Sequence, residues 1–456
     1  MKKIITILFL FIIAVSNESF SQNWTVMESP NPSSVRNILR GVGFISSNDG
    51  WAVGVSGETQ SKTLALHWNG INWSTVNSPS PGSEYNELYA VQGLSSNDVY
   101  AVGNYAGIPA TPQMLIIHWD GSSWSQISTP VITGGSSLEC ILAFGPDDIY
   151  AGGYQAIGAP GPLVGNLIVH WNGSSLNIES VPNQATNRTN MITDIKGVST
   201  NDVWAVGYSR NFGENFQAMV LHKTGSTWNL VSVPQPGAEN FLYSIDVISP
   251  NDIWAVGEYN DGTQYFPLYL HYNGSTWTSV SSPGGGAGIV HNSANDIWSV
   301  GSSFVHYDGN TWNTVSAAIP FQGNMLDISR VTSSDMWAVG RYYDGDVPKT
   351  LIMHYGKSTG IGPTSNIVSK DFMLYQNYPN PFNPATTISF NIPSKTFVTV
   401  KVYDALGKEL ETLVSKELSA GFYERNWNAE NLASGIYYYS VITNNFTDTK
   451  KMILLK

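Results

Sequence analysis

One cysteine in 456 residues, Cys140, leaves no partner for an internal disulfide and no basis for a multi-cysteine zinc or iron–sulfur site. Stability must therefore come from buried surface. Charge is also scarce: Asp, Glu, Lys and Arg make up 12% of the chain, against 42% hydrophobic and 12% aromatic residues, which excludes a disordered chain or a coiled coil. Basic residues are the scarcer of the two signs. With 22 Lys and Arg against 34 Asp and Glu, the formal charge of −12 would repel a phosphate backbone, so no nucleic-acid partner is expected. No nucleophile motif, metal cluster or phosphate loop occurs, so no cofactor and no metal site is expected. Helical periodicity is missing, and no run of 18 apolar residues follows the first segment, which predicts no transmembrane segment in the mature chain.

That first segment has the grammar of an export signal. Met1-Lys2-Lys3 is basic, Ile4 to Val15 is apolar but short for a bilayer span, and Ser19 and Ser21 offer the small residues a signal peptidase needs. Residues 1–21 are expected to be a signal peptide cleaved between Ser21 and Gln22. The mature chain then holds 20 basic and 33 acidic residues. From Asp371 onward the count is eight of each, so the acidity belongs to the segment before it.

Between these limits the sequence repeats. Ser47-Asn48-Asp49-Gly50-Trp51-Ala52-Val53-Gly54 returns at Asp98, Asp148, Asp202, Asp252, Asp296 and Asp335, with spacings of 39 to 54 residues. Each copy is followed by a motif like Leu66-His67-Trp68-Asn69-Gly70, so seven of the eight histidines are repeat positions. Each unit contains four short strand-like runs separated by Asn, Asp, Gly, Ser and Pro, the signature of propeller blades. The seventh unit lacks its fourth strand, and Trp24–Pro30 matches the missing piece in Trp73–Pro79. The prediction is an all-β chain: a seven-bladed β-propeller over 22–356 closed by the N-terminal strand, followed by a small immunoglobulin-like β-sandwich. The repeats resemble bacterial secreted propellers with kelch-like or sialidase-like blades. Their turn is similar to the sialidase Asp-box, with one residue fewer between the acid and the Gly.

A residue recurring around a ring is expected to be scaffold. The repeated Asp is read as a side-chain turn between the first two strands, and the histidines as blade-stabilising hydrogen bonders. Cys140 falls among short residues eight places before each Asp and is read as packing. Function is expected where the units differ, on the face carrying the long inserts, where Tyr105, Tyr154, Tyr208, Phe212, Phe216, Tyr259, Tyr265, Tyr342 and Tyr343, with Arg210 and Arg341, could stack and bind a ligand. A polysaccharide or an extracellular protein is the expected ligand class, and the propeller is expected to be monomeric. Two other readings stay open. Asp194, Asp246 and Asp327, with Lys196 nearby, are catalytic candidates for a glycoside hydrolase or polysaccharide lyase, because paired carboxylates can cleave glycosidic bonds. The other is a structural surface component.

A Ser/Gly/Pro-rich stretch, 357–370, reads as a linker. Beyond it, Tyr378-Pro379-Asn380-Pro381-Phe382-Asn383-Pro384, Val402–Gly407, Ala433-Ser434-Gly435-Ile436-Tyr437-Tyr438 and the terminal Lys451–Lys456 resemble the type A C-terminal sorting domain of the type IX secretion system, over 371–456. The resemblance implies Sec and type IX machinery as partners. It places the chain at the outer-membrane surface or outside a Gram-negative cell of the Bacteroidota or Chlorobi type, reached through the periplasm.

Overall fold

The computed structural model describes residues 22–109, 111–157, 163–317, 319–320, 322–357, 372–377 and 380–455. The expected signal peptide, including Ser21, the linker residues 358–370, Tyr378 and Pro379 lie outside them. The regular elements among the described residues are all strands.

Blade two shows the plan: Tyr85–Ser95, Asp98–Ala106, Gln113–Trp119 and Trp124–Ile127 pair antiparallel in order from the channel outward. The second strand of each blade reads as an almost unbroken apolar run because neighbouring blades cover both of its faces; Asp49–Ser56 is buried at its six central positions. Outermost strands alternate instead, with a buried Trp followed by exposed residues, as in Trp124–Ile127. Blades three and four are joined by one parallel pairing, Val164 with Thr189. Blade six is the short one, with Val300 and Phe304 paired across a minimal turn. The ring closes through the two ends of the repeat array. Gln22–Met27 pairs with Val347–Lys357, placing Trp24 opposite Tyr355 and completing blade seven.

The blades are sealed by an aromatic lattice. In five junctions the outer-strand Trp of one blade stands edge-on to the second-strand Trp of the blade before it: Trp73 on Trp337, Trp124 on Trp51, Trp277 on Trp204, Trp312 on Trp254 and Trp24 on Trp298. Centroids are 4.9–6.0 Å apart at 67–85°, the arrangement ring quadrupoles favour. Blade three breaks the pattern, with Leu176 in the Trp position facing Tyr100. A cavity of about 20 Å³ lies there, lined by both and by Ile127 and Trp171.

The innermost strands carry a β-bulge in six blades. Pairing skips one residue between Leu39 and Gly41, Leu88 and Ala90, Leu138 and Cys140, Ile192 and Asp194, Leu242 and Ser244, and Met325 and Asp327. The Gly that ends each repeat motif answers the bulge: a Cβ on Gly54, Gly103 or Gly153 would overlap the carbonyl oxygen of Ile38, Glu87 or Ser137.

The C-terminal residues form two sheets around one core that includes Phe382, Phe390, Val400, Trp427, Tyr439 and Met452. One sheet joins Met373–Leu374, Ala385–Ile392 and Gly421–Asn428; the other orders Glu409–Leu418, Thr396–Tyr403, Gly435–Ile442 and Thr447–Leu454. Glu409–Leu418 was not expected as a strand. It lies at a sheet edge, where only Val414 and Leu418 are buried, so its sequence is charged rather than alternating.

Candidate functional site

The repeated acid and histidine form one device. In every blade Nε2 of the histidine donates to the motif Asp at 2.8 Å, His67 to Asp49 through His354 to Asp335. The same imidazole lies against the aromatic residue two places after the Asp, with centroids 3.7–4.5 Å apart. This corrects the expected side-chain turn: the Asp spends its carboxylate on the third strand, and also on an indole N–H in blades four, six and seven. The turn is held instead by a hydroxyl three residues earlier, as when Asn97 N donates to Ser95 Oγ. Cys140 is buried as expected, and desolvation holds its thiol well above the ordinary range.

The channel-facing acids clip each blade to the next. Asp194 Oδ2 accepts from Ser244 Oγ (2.8 Å) and Ile245 N (3.0 Å) of blade five, while Oδ1 accepts from its neighbour Ile195 N. Asp246 Oδ2 takes both N and Nδ1 of His291 in blade six at 2.6 Å. Asp327 Oδ2 takes Val42 N of blade one at 2.9 Å, spanning the ring closure. Lys196 Nζ stands 3.9 Å from Asp194. Burial pushes the Asp327 carboxyl up to about 7, against its backbone hydrogen bonds and Lys196, which pull it down.

Above these acids, toward the face with the irregular loops, the bulge turns a further residue of each innermost strand into the channel: Arg40, Tyr89, Glu139, Thr193, Tyr243 and Leu326. Strict alternation would place them on the opposite face of the strand, so a two-residue period does not reveal them. The channel is a cavity of about 490 Å³ whose walls include all six. Arg40 Nε pairs with Glu87 Oε1 at 2.8 Å, and Arg36 Nη2 reaches the other carboxylate oxygen at 3.6 Å. Glu139 has no such partner: among the described residues no Lys or Arg nitrogen forms an ion pair with it, and its Oε1 accepts only from Ser137 Oγ, at 2.6 Å. Ser137 Oγ in turn accepts from Asn104 Nδ2, whose own Oδ1 is buried without a hydrogen-bond partner. Burial, with Glu87 adding to it, pushes the Glu139 carboxyl up to about 7. Tyr85, Tyr89, Tyr154 and Tyr208 all have phenols raised first by burial and then by the surrounding carboxylates, Glu139 among them in every case.

Tyr154 and Tyr208 thus lie within electrostatic reach of Glu139, outside the residues that line the cavity itself. Tyr208 also meets Phe216 and Phe241, and Arg210 lies 4.1 Å over Phe216. The other candidates are dispersed. Tyr105 packs on the core between blades one and two, Tyr259 stacks on Phe266, and Tyr265 is exposed, 3.4 Å from Glu239. On blade seven Tyr342 packs against its core, and Arg341 lies 5.8 Å over Tyr343. Phe212 is exposed beneath Arg188.

In the C-terminal sandwich the motif straps the last strand. Asn380 Oδ1 accepts from Ile453 N at 2.9 Å, Phe382 exchanges backbone hydrogen bonds with Ile453 and Leu455, and Pro384 O accepts from Ala429 N. Gly435 opens the strand opposite Leu454, and the Lys451 carbonyl accepts from Gln376 Nε2 at 2.7 Å. Residues 376–455 match the family described as secretion system C-terminal sorting domain. The chain carries a type IX sorting domain. No curated protein matches the sequence. Among solved structures, YCF48 bound to a D1 peptide is 14% identical over 75% of this chain and 99% of its own, with a TM-score of 0.47. YCF48 from Cyanidioschyzon merolae gives 14% identity, 74% and 100% coverage and a TM-score of 0.47. PorZ, a surface component of the type-IX secretion system of Porphyromonas gingivalis, is 14% identical over 91% of this chain, which spans 59% of PorZ, at a TM-score of 0.45. The sorting domain implies export to the cell surface or beyond by the type IX machinery of a Bacteroidota cell. Among the described residues no helix is long and apolar enough to cross a membrane.

Proposed function

We propose that the exported propeller is a binding module that takes a polysaccharide or an extracellular protein at the channel mouth on its irregular face. The boundaries 1–21, 22–356, 357–370 and 371–456 divide it into signal peptide, cargo, linker and sorting domain. The observation that carries the reading is the mouth itself: Arg40, Tyr89, Glu139, Thr193, Tyr243 and Leu326 occupy one repeat position, line a solvent-reached cavity of about 490 Å³ and differ in chemistry around the ring, while Tyr154 and Tyr208 lie near enough for the Glu139 charge to raise their phenols. Phenol rings beside carboxylates offer apolar area and directed hydrogen bonds together, which suits recognition of a polar surface. Against hydrolysis by Asp194, Asp246 and Asp327 stands their commitment to backbone and side-chain donors of the following blade.

Calorimetric titration of the full chain against neutral and acidic polysaccharides and candidate extracellular proteins, with product analysis, tests this. Saturable binding that falls at least tenfold on replacing Tyr154 and Tyr208 by Ala, without new reducing ends, is the expected result. Binding untouched by those changes, or turnover lost with Asp194 or Asp327, would overturn it.

A further inference from the structure

The mouth has an uneven charge arrangement. Both guanidinium groups near it, Arg36 and Arg40, are directed to one carboxylate, Glu87. Glu139, on the neighbouring blade, forms no ion pair among the described residues; it accepts from the Ser137 hydroxyl and feels Arg40 only at a distance. Burial and Glu87 outweigh both attractions, and its carboxyl is accordingly pushed up to about 7. Tyr89 lines the same cavity, and the phenols of Tyr85, Tyr154 and Tyr208 lie near enough to be raised by its charge. A carboxylate beside aromatic rings is a setting that suits a cation.

The same face carries Val35, Ile108, Val131 and Phe212 on its loops, 50%, 83%, 80% and 74% exposed. Isolated apolar tips around a polar centre match the contact surface of a protein better than that of a hydrated polymer. Glu139 also lies within the channel wall, one bulge below the rim, where a single projecting side chain reaches more readily than a chain crossing the opening.

We infer that the mouth is a cation socket in which Glu139, lining the channel wall together with Tyr89, receives the guanidinium or ammonium group of a basic side chain projecting from a protein partner. This rests on the mouth being the binding site, and it names what that site selects. A bound cation favours the ionised carboxylate, so occupancy at neutral pH releases a proton and affinity rises as pH climbs through about 7. The groups facing Glu139 are Arg40 from blade one, Tyr85, Glu87 and Tyr89 from blade two, Tyr154 and Cys140 from its own blade and Tyr208 from blade four. Asp327 lines the same channel and is likewise raised to about 7, so the Glu139→Gln variant is what assigns the pH dependence to Glu139.

The test is a calorimetric titration of the full chain with a heptapeptide holding one central arginine among Leu and Ser, beside the same peptide with citrulline. At pH 8 the arginine peptide should saturate one site and bind about tenfold or more tightly than its neutral twin. Glu139→Gln should abolish that preference, and Tyr208→Leu should weaken both the preference and the affinity. Wild-type preference should shrink below pH 6. Equal binding of the two peptides, or a preference that survives Glu139→Gln, would overturn the socket. So would absence of binding by either peptide, and in that case the polysaccharide titration still decides the mouth itself. A chitosan oligosaccharide that binds through Glu139 while the arginine peptide does not would replace the protein side chain by an amino sugar. A neutral glycan sensitive to Tyr154 and Tyr208 but not to Glu139 would leave the mouth standing and refute the cation.

Discussion

Replacing Asp194 by Ala separates scaffold from catalyst. The side chain holds three donors, Ser244 Oγ, Ile245 N and Ile195 N, and faces Lys196 at 3.9 Å. Its removal leaves two backbone N–H groups in the crowded channel wall without their acceptor and Lys196 without its nearest carboxylate. Losing the partner of a buried donor costs about 1–3 kcal/mol each, so Asp194→Ala should destabilise the propeller by roughly 3–5 kcal/mol. Asn keeps one acceptor oxygen and one steric match, and Asp194→Asn should lose only about 1–2 kcal/mol. Urea and thermal unfolding at pH 7.5, followed by near-ultraviolet circular dichroism, report both. An Ala variant as stable as the parent would refute the clip. An Ala variant that is stable and folded but loses a measured glycan-cleaving activity would restore the catalytic reading.

Three further outcomes follow from the same geometry. Trp24→Ala removes a ring 3% exposed that contacts Trp298, Phe304 and Tyr355, and should cost about 3–5 kcal/mol and release the closing strand to limited proteolysis. Leu176→Trp should fill the cavity of about 20 Å³ between blades two and three, a gain of about 0.5 kcal/mol at ~24 cal/mol per Å³, visible as a small rise in urea midpoint. Glu139 is raised from 4.5 to about 7, so the folded state binds its proton more tightly than the unfolded chain; that stability is fully present below pH 4.5 and is lost as pH rises to 7. Glu139→Gln should therefore match the parent at pH 4.5 and exceed it by up to about 3 kcal/mol at pH 8, less whatever channel water screens.

Blade number, ring closure and the sorting motif were legible because each rests on periodic or contiguous residues. Asp98, His118 and Trp124 have counterparts in the same order in the other units, Trp24–Pro30 fits the gap they leave, and Tyr378–Pro384 is one uninterrupted string. The roles within the repeat were harder. The Asp–His contact joins residues 10 to 22 positions apart across a strand, which spacing alone does not distinguish from a local turn. The mouth was hidden for a different reason: a bulge puts Glu139 and Cys140 on one side of the strand, and a two-residue period assigns them to opposite faces. The charged edge strand Glu409–Leu418 escaped because half its face is solvent, so alternation never appears. Tyr105, Tyr154, Tyr208 and Tyr342 are all second-strand residues; Tyr154 and Tyr208 stand six places after the motif Asp, within reach of the Glu139 charge, while Tyr105 and Tyr342, one place further on, turn toward blade cores.

The most direct test of the mouth as the binding site is hydroxyl-radical footprinting of the full chain with and without the ligand that saturates it in calorimetry, read residue by residue by mass spectrometry. Protection concentrated on Tyr85, Tyr89, Tyr154 and Tyr208, with the turns at Asn69-Gly70 and Asp120-Gly121 on the opposite face unchanged, is the predicted result. Protection of those turns or of the outer strands, with the four tyrosines unchanged, would contradict it.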